Sequence, residues 1–464
     1  MNGKFRNIYF LGIGGIGMSA LARYFLHEGY AVAGYDRTAT PLTRALEAEG
    51  ATIHYDDDPA LIPEAMRNAE ETLVVYTPAI PADHREWAWL RTRGFQIEKR
   101  SQMLGHLAAG KLGMAVAGTH GKTTTSTLAA WLNHAAAKEG SAFLGGISRN
   151  FASNLVLGIG RRLVLEADEY DRSFLRLNPD VAVITATDAD HLDIYGTAEA
   201  MKESFEQFAA QIKAGGALIL KEGIDLKFDT SHRSLYRYSA DGGGDFHAER
   251  IALREDGRYS YDIVTPDGRI EGCVLGIPGK VHVENSVAAV AMLWCAAKIE
   301  GKELDRRAVA EALASFEGVK RRMEVYINTP TQVYIDDYAH HPEELRATIM
   351  SLREIYPKRR LTAIFQPHLY TRTRDFAAEF SEVLSLADKV ILLPIYPARE
   401  LPIEGVCSEM LGAAITAEWE LVERDALAEH LRGEDTDVVV TFGAGNIDVV
   451  CRDVAEVLSN KIGK

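Results

Sequence analysis

Leu112-Gly-Met-Ala-Val-Ala-Gly118-Thr-His-Gly-Lys-Thr-Thr-Thr125 decides the fold class. An apolar run enters a glycine-bounded turn, and the turn opens an amphipathic stretch that continues to about Ala137, so the segment predicts a strand, a loop and a helix. Such a loop points backbone amides at a phosphate, whose charge the helix N-terminus favours. Gly118, Thr119, His120, Gly121 and Thr124 form the expected cradle, Lys122 can neutralise the outer phosphate oxygens, and the hydroxyl of Thr123 can bind magnesium. The general pattern G-x-x-x-x-G-K-[ST] would place its first glycine at Val116, so this is a shorter Gly-Thr-x-Gly-Lys-Thr form. A lysine that merely starts a helix is the plain alternative, and it is disfavoured because a cation there opposes the helix dipole unless an anion is bound.

Downstream, two apolar runs end in acidic clusters, Leu163-Val-Leu-Glu166-Ala-Asp168-Glu169-Tyr-Asp171 and Ala182-Val-Ile-Thr185-Ala-Thr-Asp188-Ala-Asp190-His191-Leu-Asp193. In an open parallel sheet the carboxyl ends of adjacent strands face one crevice, so Glu166 and His191 could both reach a magnesium ion beside Lys122. Upstream, the strand beginning at Asn7 runs into Gly12-Ile-Gly14-Gly15-Ile-Gly17, and Asp36 ends the next strand. This G-x-G-x-x-G turn suits a pyrophosphate, which NAD(P), FAD and a nucleotide-diphosphate sugar all carry.

Around these motifs short apolar runs alternate with amphipathic stretches. Strands are expected at 7–13, 30–36 and 72–77, then at 162–166, 181–185 and 217–221, and finally at 333–337, 360–366, 389–395 and 438–442. Helical patterns lie between many of them, at 15–28, 41–49, 83–93 and 283–299 for example. The alternation predicts α/β domains with parallel sheets. Residues 230–275 differ, because Asp241-Gly, Asp256-Gly and Asp267-Gly separate short alternating runs and suggest antiparallel hairpins. Three domains are expected, at 1–110, 111–319 and 320–464: a Rossmann-like N-terminal domain, a central P-loop ATPase-type domain and a Rossmann-like C-terminal domain. The last carries Lys320-Arg321-Arg322 before its first strand, Asp336-Asp-Tyr338-Ala-His340-His341-Pro342 at a strand end, and Phe365-Gln-Pro-His368-Leu369-Tyr-Thr-Arg372 at another. Cations and imidazoles at one sheet edge suit phosphate and carboxylate groups.

A length of 464 residues allows roughly two to four domains at ~100–200 residues each. Lys plus Arg total 51 against 66 for Asp plus Glu, and the resulting charge of −15 disfavours nucleic acid and anionic membranes as partners. Four scattered cysteines without a C-x-x-C pair argue against a zinc site or a disulfide framework and suggest a cytoplasmic protein. The apolar run at the N-terminus is too short for a signal or transmembrane segment.

These motifs, in this order, resemble the Mur ligases, ATP-dependent amide-forming enzymes of peptidoglycan synthesis, and the resemblance covers essentially the whole chain. Within the family, Phe10-Leu-Gly-Ile-Gly-Gly-Ile-Gly-Met18, Glu166-Ala-Asp-Glu169, Asp190-His-Leu-Asp193 and Gly318-Val-Lys-Arg-Arg322 are similar to the branch that adds L-alanine to UDP-N-acetylmuramate. A branch that adds a recycled tripeptide to the same nucleotide sugar is the nearest alternative. The resemblance implies that Gly14, Gly15, Gly17 and Asp36 hold the UDP-sugar, and that ATP lies on residues 118–124 with Asn285 and Arg322. It also implies magnesium on Thr123, Glu166 and His191, and L-alanine on Tyr338, His340 and Arg372. Lys122, His191, Arg322 and His340 would carry the chemistry, which passes through an acyl phosphate. The family commonly shows Pro-Gly-x-His-Asn-x-x-Asn where this chain has Pro278-Gly-Lys-Val-His-Val-Glu-Asn285, and arginine where it has Leu369.

Overall fold

A computed structural model describes residues 4–170, 172–188, 192–398 and 400–461. It contains three sheets, one for each expected domain. Five strands form the first, in the order Thr52–His54, Ala31–Tyr35, Asn7–Leu11, Thr72–Tyr76, Gln96–Lys99, all parallel. Asn7–Leu11 is buried along its whole length, as a central parallel strand must be when helices cover both faces.

The second sheet has ten strands, with Leu112–Ala117 between Val181–Ile184 and Arg162–Glu166. All three run parallel, and Val116 pairs with Glu166 while Ala117 pairs with Ile184, so the loop after residue 117 leaves the sheet beside both acidic strand ends. Beyond Arg162–Glu166 lie Ser141–Ser148 and Ser153–Val156, a ribbon that the sequence pattern did not reveal because glycine and serine interrupt its apolar alternation. The expected hairpins of 230–275 need one correction. Ser234–Ser239 pairs parallel with Ala217–Lys221, and Tyr238 pairs parallel with Phe246. Gly242, Gly243 and Gly244 all adopt positive φ there, which lets six residues loop out and re-enter in the same direction instead of forming a hairpin. Tyr259–Thr265 and Gly268–Val274 do form a hairpin, since a two-residue connection permits no other pairing of neighbours.

The third sheet orders Glu324–Asn328, Val333–Asp337, Val438–Phe442, Leu361–Phe365, Lys389–Leu392 and Glu418–Leu421, all parallel except the first. Five strands therefore end at one edge, at Asp337, Phe442, Phe365, Leu392 and Leu421. The helix expected from residue 283 begins three residues earlier, at Lys280, and runs to Ile299. No helix among the described residues is long and apolar enough to cross a membrane.

The chain divides into two compact units, Met1–Arg250 with Tyr261–Val274 and Glu284–Glu317, and Ile251–Ser260 with Leu275–Val283 and Gly318–Lys464. Three sheets make two units because the first and second sheets share a core that runs from Ile8 and Phe25 through Met103 and Phe143 to Phe174 and Phe208. Helix Ile16–His27 is tied to the ribbon by Asn154, which is fully buried. Its amide donates to the Ile16 carbonyl at 2.5 Å and to Ser19 Oγ at 2.9 Å, and its oxygen accepts from Arg23 at 2.5 Å. Removing one member of such a buried set leaves the others unsatisfied. Asn154→Ala is expected to cost about 2 kcal/mol, read as a lower urea midpoint at unchanged m-value; an unchanged midpoint would show that the tie adds no net stability.

Candidate active site

Gly121 caps helix Lys122–Ala135, and the turn before it is fixed from below by Thr185, whose hydroxyl donates to the carbonyls of Ala117 (3.1 Å) and His120. Thr119 N–H donates to Ala186 O at 3.2 Å. The loop is thus built on the neighbouring strand end, as the register requires. Lys122 Nζ donates to Gly118 O at 2.6 Å and to Glu169 Oε1 at 2.8 Å, so the loop's cation rests on one of the acidic strand-end residues. Burial pushes Glu169 up to about 7 against the pull of Lys122. Burial also opposes the charge on Lys122, but Glu169, Asp168 and Glu166 outweigh it and hold the ammonium above its ordinary range.

Thr123 Oγ1 donates to Glu166 Oε1 at 3.0 Å, and the other oxygen of Glu166 accepts from Gly145 N–H at 2.9 Å. A hydroxyl and a carboxylate at this distance beside a phosphate loop are the hard oxygen donors that magnesium takes, so these residues fit the ion. Asp171, Asp190 and His191 lie outside the described residues. His120 is placed with Nε2 4.0 Å from Asp188 Oδ2. Thr124 is buried within the first helical turn. Asn285 is buried behind the loop, where its side-chain oxygen accepts from Thr125 Oγ1 at 3.3 Å and lies close to Gly121.

Asp36 closes the first glycine turn on itself, since Oδ2 accepts from Gly14 N–H at 2.7 Å and Oδ1 from Thr38 N–H at 3.3 Å. From Gly15 and Gly17 a cavity of about 260 Å³ extends past Thr77 and Arg100 to Gly145 and Glu166. One space therefore joins the turn of the first domain to the Thr123–Glu166 donor pair of the second. Arg100 lines it and was not singled out by sequence, because the four-residue strand Gln96–Lys99 before it is too short to read.

In the other unit, the strand ends of the third sheet bring Tyr338, His340 and Arg322 together. The Tyr338 ring lies beneath two guanidinium groups, Arg321 at 5.3 Å and Arg322 at 5.0 Å. His340 packs edge-on against Tyr338 and His368, with centroids 5.3 and 6.0 Å away, and His368 stacks on Tyr396 at 5.8 Å. Burial, with the charge of Arg372 added, lowers both His340 and His368 to about 4, while Glu344 and Tyr338 O partly counter this at His340. Both rings are neutral at pH 7, and His340 is a weak proton acceptor in this state. Glu344 accepts from His340 N–H at 3.0 Å and lies 3.9 Å from Arg322, tying the cluster to helix Pro342–Ile355. Leu369, at φ 72°, turns the chain into the short helix that carries Arg372. Tyr396 and Glu344 were missed by sequence; Tyr396 follows the fourth strand end of the same edge, and that rule would have found it. A separate cluster, Glu420, His430 and Glu434, has metal-ligand types, but Lys389 Nζ lies 2.8 Å from Glu420 and 2.5 Å from Glu434 and already neutralises it.

Comparison with known proteins accounts for all three sheets. Residues 7–112 match the Mur ligase family catalytic domain, 116–293 the Mur ligase middle domain, and 321–445 the Mur ligase glutamate ligase domain. The UDP-N-acetylmuramate--L-alanine ligase of Phocaeicola vulgatus is 47% identical over 460 residues, 98% of this chain and 99% of that protein. The enzyme of the same description from Parabacteroides distasonis is 47% identical over 464 residues, 99% of each. Among solved structures, the UDP-N-acetylmuramate-alanine ligase of Thermotoga maritima superposes with a TM-score of 0.82 at 28% identity, covering 99% of this chain and 100% of that one. A murein peptide ligase of Psychrobacter arcticus shares the fold, with a TM-score of 0.69 at 22% identity over 98% of this chain and 99% of its own. With relatives this similar along nearly its full length, the chain belongs to the Mur ligase family.

Proposed function

We propose that this protein is an ATP-dependent ligase that joins L-alanine to the carboxylate of UDP-N-acetylmuramate, yielding ADP and phosphate, in peptidoglycan precursor synthesis in the cytoplasm. The observation that carries the reading is the cavity running from the glycine turn to Glu166, next to the Lys122 loop. It gives a nucleotide-diphosphate sugar a path along which its carboxylate reaches ATP, which a dehydrogenase using the first turn alone would not need. Residues 1–110 would hold the nucleotide sugar, 111–319 ATP and 320–464 the amino acid.

Residues 118–124 wrap the phosphates of ATP, with Asn285 supporting the loop from behind, and Lys122 leaves Glu169 to neutralise the transferring group, helped by Arg322. Thr123 and Glu166 would hold magnesium, with His191 as a further ligand; the ion would offset phosphate charge. A carboxylate oxygen of the muramyl group attacks the γ-phosphorus, the bond to ADP breaks, and an acyl phosphate forms. The L-alanine amine then attacks the acyl carbon, phosphate leaves with the electron pair of the C–O bond, and the proton lost from the amine nitrogen goes to the departing phosphate. Tyr338, His340 and Arg372 orient the amino acid, Arg372 by pairing with its carboxylate.

The test is ADP release with UDP-N-acetylmuramate and a panel of L-alanine, L-serine, glycine and a murein tripeptide. L-alanine should give the highest kcat/KM. Turnover with the tripeptide alone would assign the chain to the tripeptide-adding branch instead, and NAD(P) binding without nucleotide-sugar binding would revive the dehydrogenase reading.

A further inference from the structure

We propose that Arg100 is the side-chain anchor for the diphosphate of the nucleotide sugar, and that Asp168 is the counter-ion it leaves when the sugar binds. The inference rests on the reading above and adds a binding residue to it. Arg100 opens helix Arg100–Ala108 directly after the edge strand of the first sheet, and its guanidinium folds back over the first turn of helix Ile16–His27. A Cβ at Gly17 would meet Arg100 NH1 at 2.5 Å and Cζ at 3.1 Å. Glycine at position 17 therefore makes room for a cation, a role beyond the close helix–strand packing usual for the last glycine of this turn. Helix Ile16–His27 has Gly15 as its N-cap, with no side-chain cap and no acidic residue in its first turn, so its first turn and Arg100 present positive charge to the same end of the cavity.

The resting partner of Arg100 is weakly held. A single contact of 3.3 Å joins NH2 to Asp168 Oδ2, with the Asp168 side chain 41% exposed and its other oxygen accepting from Tyr170 N–H at 3.1 Å. A one-point, half-exposed ion pair contributes little, whereas a phosphate can take the guanidinium fork at two points with shorter, charge-assisted bonds. Exchange of Asp168 for the diphosphate is therefore downhill. It also frees a carboxylate adjacent in sequence to Glu169, the residue on which Lys122 rests, and so links filling of the sugar cavity to the charge around the phosphate loop.

The experiment uses the full chain, with ADP release titrated in UDP-N-acetylmuramate and direct calorimetry of UDP. Arg100→Ala should raise KM for the nucleotide sugar and the Kd of UDP by a similar factor, about 10–100-fold, with kcat and KM for ATP within about threefold. Arg100→Lys, which keeps the charge and loses the fork, should fall between. Asp168→Asn should lower the sugar KM, about two- to fivefold, because it removes the competitor. A sugar KM raised without any change in UDP affinity would place Arg100 on the muramyl group and overturn the proposal, as would an Asp168→Asn variant that weakens binding as much as Arg100→Ala. If the wild-type chain fails to ligate L-alanine, the functional reading falls, and the UDP calorimetry still decides the role of Arg100.

Discussion

Lys122→Ala is expected to lower kcat/KM for ligation by about 10³-fold while UDP binding stays within about twofold, measured by ADP release and calorimetry. Loss on that scale is what a preorganised cation facing a transferring phosphoryl group supplies, and the cavity of the nucleotide sugar contains no atom of Lys122. Preserved ligation would remove Lys122 from the chemistry. The same variant carries a pH signature. Lys122 is the nearest cation to Glu169, whose side chain is only 1% exposed and which burial already pushes to about 7. A carboxyl with a folded pKa above its unfolded value contributes stability that is complete below the unfolded value near 4.5 and is lost as pH rises through the folded value. Without Lys122 the folded value climbs further, so the variant should melt close to wild type at pH 5 and progressively lower as pH rises past 7. Lys122→Ala with Glu169→Gln should erase that slope. A slope that persists in the double variant would mean another group titrates.

What could be read from sequence follows from how local each signal is. The phosphate loop, Glu166, Asp36 and Tyr338 sit directly after buried apolar strands, so the strand, its end and the residue beyond are contiguous in the chain. Arg100 follows a strand of four residues, and the ribbon carrying Phe143 and Gly145 alternates glycine and serine with apolar residues; both shape the cavity without leaving a periodic trace. The pairing partners were not legible either. Asp36 is spent on Gly14 and Lys122 rests on Glu169, contacts between residues 22 and 47 positions apart that only the assembled sheets bring together. His340 shows the same limit for chemistry. Its type and place suit a base, but its basicity is set by burial and by Arg372, and neither is visible from the motif. Charge gives the opposite lesson: a balance of −15 describes the surface as a whole and says nothing of the cations gathered at Lys122, Arg100 and Tyr338.

Arg321→Ala should cost the second unit about 3–5 kcal/mol, more than any surface arginine. The guanidinium is the hub of that unit's strand-end loops: Nε donates to Asp336 at 3.0 Å, NH2 to Gly443 O at 2.6 Å and NH1 to Gly445 O at 3.4 Å, and its face covers Tyr338. Burial works against its charge, and Asp336 outweighs that cost. Asp336 is 1% exposed, with its other oxygen held by Thr441 Oγ1 at 2.7 Å, so removing the arginine strands a carboxylate that has no route to water. Two carbonyls lose donors at the same time. Hydrogen exchange should locate the damage, with protection of strand Val438–Phe442 falling about 10²–10³-fold and that of Leu112–Ala117 unchanged. Adding Asp336→Asn tests the cause, because it removes the stranded charge but not the missing donors. If the charge dominates, the double variant recovers more than half of the lost protection, while KM for L-alanine is raised in both variants, since Tyr338 keeps only Arg322 of its two guanidinium neighbours. If Asp336→Asn recovers nothing, the carbonyls of Gly443 and Gly445 carry the cost and the ion pair is incidental.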